Sequence, residues 1–169
     1  MRKTLFDALL RPPFTEPPGT PGDAGIARAA AALDKAAQKH LGRSLAIRVV
    51  DAGSCNACEL ELNALSNPYY DLERFGLRFV ASPRHADVLV VTGPVTKNMH
   101  EALLRTYAAM PSPKWVVAVG DCAACGGDFA RSYACLDGVA SVLSVDLHIG
   151  GCPPTPTHLI EGLRALLAV

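Results

Sequence analysis

Six cysteines are distributed along the 169-residue chain, and their spacing is the first chemical signal in it. Cys55 and Cys58 form a CxxC in GSCNACELE, Cys122 and Cys125 a second in GDCAACGGDF, Cys135 stands alone in SYACLDG, and Cys152 heads CPPTP. Paired thiols can chelate zinc, cycle between dithiol and disulfide, or hold an iron–sulfur cluster. Stable disulfides are rare in a reducing cytosol, so metal or cluster ligation is the leading reading. Structural zinc usually joins two short paired motifs, whereas Cys152 arrives singly from a distant segment. The run C-x2-C, then C, then C-P supplies four thiolates, one for each iron of a [4Fe–4S] cube. Spacing leaves open whether Cys122 or Cys125 is the third of them. Cys135 reads equally well as a small buried hydrophobe, the commoner fate of a free cysteine.

What must position these thiols begins at Leu45. LAIRVVDAG, LRFVAS, ADVLVVTG and KWVVAVGD are short β-branched runs, and helical patterns lie between some of them. Strands that read as nearly continuous apolar runs are buried on both faces, which marks a parallel sheet. CELELNALSN leading into YYDLERFG, then VTKNMHEALLRTYAAM, then HLIEGLRALLAV supply the helices, the second with Met99, Leu103, Leu104, Tyr107 and Met110 at helical spacing. The alternation predicts an α/β fold, a flavodoxin-like doubly wound and mostly parallel sheet with flanking helices, over residues 45–169.

In such sheets ligands bind beyond the carboxyl ends of the strands. Cys55 and Cys58 follow the run ending at Val50, Cys122 the run ending at Val119, and Cys152 the apolar stretch from Val145 to Ile149. Three separate segments thus bring thiols to one edge of the sheet. Each is embedded in glycine, which lets backbone amides approach a bulky inorganic core and bond its sulfurs. Gly53, Ser54, Gly120, Gly126 and Gly151 are therefore expected to shape the pocket, with ordinary turn glycines as the alternative.

Residues 1–44 differ in character and read as a separate N-terminal part. MRKTLFDALL suits a helical turn or two, and the proline-rich RPPFTEPPGTPG suits an extended linker or an arm on a partner. Asp23 is placed to cap a helix through AGIARAAAALDKAAQKHLG that ends at Gly42. Its alanine-rich stripe is weakly apolar, so a surface or interface helix is expected.

Sixteen basic and sixteen acidic side chains cancel, which removes the electrostatic case for a nucleic-acid partner. No window reaches the ~18 apolar residues of a membrane span, and the first residues lack a secretory pattern, so a cytoplasmic location is expected. Glu59 suits the first turn of a helix, with the start of a proton path as the sharper alternative. Arg84, His85 and Asp87 read as a loop-capping salt bridge, or else as contacts to a partner or a quinone-like ligand. Thr92 to Met99 is expected to line an interface; His100, His148 and His158 show no ligand spacing.

SCNACELE, SPRHADVLVVTGPVTKNM, GDCAACGGDF and GGCPPTP, in that order, resemble the small cluster-bearing subunit shared by [NiFe]-hydrogenases and the 20 kDa subunit of respiratory complex I. The resemblance covers about residues 45 to 165. It implies one [4Fe–4S] cluster on Cys55, Cys58, Cys122 and Cys152, choosing Cys122 over Cys125. Complex I subunits carry adjacent cysteines at the first motif, whereas CNAC is the hydrogenase arrangement. With no export leader or further cysteine motifs expected, the chain looks like the single-cluster small subunit of the membrane-associated, complex-I-like hydrogenases of the formate hydrogenlyase or CO-induced type. Such a subunit relays electrons to or from a large subunit. The implied partners are a [NiFe]-hydrogenase-type or complex-I-type large subunit, a ferredoxin-like electron-transfer subunit and membrane subunits that hold it at the inner face of the membrane. Two alternatives stand beside this: a quinone- or NAD(P)H-linked complex without hydrogenase activity, and a zinc-stabilised interaction module.

Overall fold

The computed structural model describes residues 24–167. The MRKTLFDALL segment, the proline-rich arm and the Asp23 cap lie outside the described residues. Helix α1 (Ala24–Leu41) leads into strand β1 (Ala46–Asp51), helix α2 (Ala57–Ala64) and the two-residue strand β2 (Arg78–Phe79). Strand β3 (Val88–Thr92), helix α3 (Lys97–Ala109), strand β4 (Trp115–Val119) and the short helix α4 (Asp121–Cys125) follow. Strand β5 (Leu147–Ile149) and helix α5 (Pro156–Leu166) complete the described chain.

All strand pairs are parallel, in the order β2-β1-β3-β4-β5. This is the flavodoxin-like order, with its switch point between β1 and β3. β3 is buried along its whole length, as expected of VLVVT at the centre of a parallel sheet. Its residues alternate between two cores. Val88 and Val90 face the side of Leu33, Leu62 and Leu159, while Leu89 and Val91 face the side of Leu103, Met110 and Ala123.

Two elements differ from the sequence expectation. LRFVAS yields only two strand residues, because the chain leaves the sheet at Val80 and enters a 3-10 turn at Pro83–His85. Helix α1 is not a peripheral surface element: Ile26, Ala30, Leu33 and Ala37 are buried in the same core as α2 and α5. Alanine carries little hydrophobic signal, but its small side chain lets two helices approach closely, which is what α1 and α5 do.

Asp87 does make a capping salt bridge, with Arg43 as its partner in place of Arg84 or His85. Its carboxylate is buried (2% exposed), receives the Arg43 guanidinium and accepts the Ala46 N–H at 3.0 Å. Arg84 and His85 point to solvent. Asp87→Ala leaves the Ala46 amide without that acceptor at the start of β1. It is expected to cost about 2–3 kcal/mol, read as a lowered urea midpoint at unchanged slope.

Candidate functional site

The site is assembled from three loops at the carboxyl ends of β1, β4 and β5. After β1, the Asp51 carboxylate accepts the N–H groups of Gly53 (2.8 Å) and Ser54 (2.7 Å), an Asx turn that reverses the chain. Ser54 Oγ accepts the Asn56 N–H at 3.0 Å. The Ala52 carbonyl accepts both the N–H and the hydroxyl of Thr96, each at 2.9 Å. Cys55 is exposed on this pinned loop, and Cys58 is buried in the first turn of α2. Thr96 packs on Gly53 so closely that a Cβ added there would lie 2.3 Å from its methyl group.

The other two loops are laced together. Gly120 donates to the Ile149 carbonyl (2.8 Å) and Asp121 N–H to the Gly151 carbonyl (3.0 Å), while Gly151 N–H donates to the Asp121 carboxylate (2.8 Å). Cys122, the second residue of α4, is thereby fixed relative to Cys152, which is exposed. Gly120 closes the triangle. A Cβ on it would stand 2.6 Å from Cys58 Sγ and 3.4 Å from the Gly151 carbonyl, so Gly120 sits between the thiol of the first loop and the backbone of the third.

Gly127, which follows α4, folds back in the same way: a Cβ on it would lie 2.7 Å from Cys122 Sγ. Gly126 instead ends α4 in the left-handed region, with Ala130 as its neighbour. Cys125 points out, its Sγ donating to the Asp121 carbonyl at 3.4 Å, and Cys135 pairs as a bridge residue with Thr96.

The thiols of the proposed set feel one another. Burial pushes the Cys58 thiol up from 9.0 to about 12, and Glu59, Cys55, Cys122 and Cys152 push in the same direction. Burial likewise raises Cys122, followed by the repulsion of Cys152. Four neighbouring thiols cannot all ionise without a cation among them. In the metal-free chain the folded state therefore holds the Cys58 proton more tightly than the unfolded state does. That stability is fully present below about pH 9 and is lost as pH rises toward 12. Reduced, metal-free protein is expected to lose denaturation midpoint above about pH 9 more steeply than its Cys58→Ala variant.

Among the described residues no three His, Cys, Asp or Glu side chains draw together as the shell of a single metal ion. Glu59 lies in the first turn of α2, as expected, and one of its oxygens accepts the Thr92 hydroxyl. His148 and His158 are exposed and His100 lies half-buried on α3. Sequence reading passed over Asp51 and Asp121, while Thr96 falls within the Thr92 to Met99 stretch expected at an interface and Gly127 beside Gly126 in the glycine-rich turn after Cys125. For Asp51 a signal existed, since Asp before a Gly-containing turn commonly bonds the following amides, whereas Asp121 bonds an amide thirty positions away.

The family model of NADH ubiquinone oxidoreductase, 20 Kd subunit, matches residues 55–166. Among solved structures, a chain of the membrane-bound sulfane sulfur reductase, an archaeal respiratory membrane complex, is 32% identical with a TM-score of 0.67. The match covers 82% of this chain and 74% of that one.

Proposed function

Because the chain belongs to the NADH ubiquinone oxidoreductase 20 Kd subunit family, we propose that it is the electron-relay subunit of a membrane-associated, complex-I-like assembly, with one [4Fe–4S] cluster on Cys55, Cys58, Cys122 and Cys152. The observation that carries this is the place of Gly120, on the second cysteine loop, between the Cys58 thiol of the first and the Gly151 carbonyl of the third. A cluster bound there would supply a one-electron couple. The protein's part is to hold and tune it. Cys58 anchors from the buried side, while Cys55 and Cys152 face outward, where a large subunit would dock. Asp51 and Asp121 fix the two outer loops through main-chain hydrogen bonds. Gly120 and Gly127 keep Cβ atoms out of the space beside Cys58 and Cys122.

The partners in this reading are a large subunit, a ferredoxin-like electron-transfer subunit and membrane subunits, with the chain peripheral on the inner face. No helix among the described residues is long and apolar enough to cross a membrane, so attachment would come through partners. The CNAC spacing favours a hydrogenase-type large subunit. A second reading rests on the solved relative, whose complex is a sulfane sulfur reductase: the same relay would then serve a complex without hydrogenase activity. H2-dependent dye reduction by the purified assembly separates the two. Iron, zinc and acid-labile sulfide assays on anaerobically purified protein, with EPR of the reduced form, test the relay itself. An S = 1/2 signal with matching iron and sulfide is expected; zinc without sulfide would overturn it.

A further inference from the structure

β1 has one complete edge and one incomplete edge. On the β3 side every residue from Ile47 to Asp51 is paired. On the other side β2 covers only Ala46 and Ile47. The rungs on that side fall on alternate residues: the Leu45 carbonyl accepts Arg78 N–H at 3.1 Å and the Ile47 carbonyl accepts Val80 N–H at 2.8 Å. The next residue to turn its main chain that way is Val49. By then the β2 segment has left the sheet, and among the described residues nothing bonds Val49 there.

A cavity of about 360 Å³ occupies the place of the missing rungs, bounded by Arg48, Val49, Glu59, Leu62, Phe79 and Val80. Two of these lining residues are charged and each has a buried, unpartnered atom, Nε of Arg48 and Oε2 of Glu59. One requires an acceptor and the other a donor, and a buried polar atom left without its partner is costly to the fold. A simple anion would suit Arg48 and be repelled by Glu59, and a simple cation the reverse. A peptide unit presents C=O and N–H on opposite sides, which matches this pair and the open N–H and C=O of Val49. Leu62 and Phe79 supply an apolar wall for a side chain.

We propose that an extended segment of a neighbouring subunit seats in this cleft and continues the sheet past the end of β2, by strand addition to the open edge of β1. No cysteine lines the cleft, so the docking does not depend on the cluster, and its test is independent of iron content.

The test compares the full chain purified alone with the assembly isolated through a tag on this chain. Exchange of the Val49 amide, resolved by mass spectrometry, is expected to slow at least about tenfold in the assembly. A photo-crosslinking amino acid at Asn63, on the rim, is expected to join one short contiguous stretch of another subunit. Ala81→Arg, on the opposite rim, is expected to abolish that cross-link with iron content unchanged. Equal exchange of Val49 in both samples would overturn the proposal. So would cross-links confined to a second copy or to this chain's own residues 1–23.

Discussion

Cys58→Ser and Cys122→Ser are each expected to give a colourless chain with the [4Fe–4S] signal lost, while Cys125→Ser and Cys135→Ser keep about four irons per chain. The two CxxC motifs make this a sharp comparison, since Cys122 and Cys125 are related by one helical turn. Cys122 lies beside Gly127, on the loop laced to Gly151, and its thiol is raised by burial and then by the neighbouring Cys152. Cys125 faces solvent, with its thiol spent on the Asp121 carbonyl. Serine keeps the size of the side chain but is a far poorer ligand for iron than a thiolate, so loss of iron reports ligation rather than packing. Iron and sulfide assays with the visible spectrum of the four variants provide the reading. Iron retained by Cys122→Ser and lost from Cys125→Ser would reverse the assignment. Cys58→Ser carries a second expectation, because the thiol whose burial is most costly to ionise is gone: its metal-free form loses the alkaline destabilisation described above.

The class of fold and the edge that carries the chemistry were legible because both rest on local pattern. VLVVT reads as a strand buried on two faces wherever it is met, and a thiol that follows such a strand lies at the ligand-bearing end of the sheet. What stayed hidden depends on contacts between distant segments. α1 is buried through Ala30, Leu33 and Ala37, and small residues become core only when a partner such as α5 comes close. β2 stops after Phe79, although LRFVAS has strand composition, because Pro83 and the buried Asp87 draw the chain out toward β3. Asp121 bonds the amide of a residue thirty positions later. Glu59 was legible as a first-turn carboxylate, but its bond to Thr92 joins helices and strands that the sequence does not show to be adjacent.

Gly120→Ala is expected to damage both stability and iron content. Gly120 ends β4 with φ +88 and ψ 159, a region that only glycine occupies readily, at a cost of about 1–3 kcal/mol for any other residue. The added Cβ would also stand 2.6 Å from Cys58 Sγ, where something must shift. Overpacking of this kind typically costs a further 1–3 kcal/mol or so. Neither side can yield freely: Gly120 is held by its N–H bond to Ile149, and Cys58 is buried in the first turn of α2. Together these give about 2–6 kcal/mol, a large share of the ~5–15 kcal/mol of a typical domain. The strain also falls on the spacing of the cysteine loops, so iron content should drop even in whatever fraction folds. Gly42→Ala is the control, since Gly42 also has a positive φ (+66) but nothing within 4 Å of an added Cβ. It should lose only about 1–2 kcal/mol and keep its iron. Denaturation midpoints measured beside iron content distinguish the outcomes, and equal iron loss in both variants would show that backbone strain alone, rather than the contact with Cys58, empties the site.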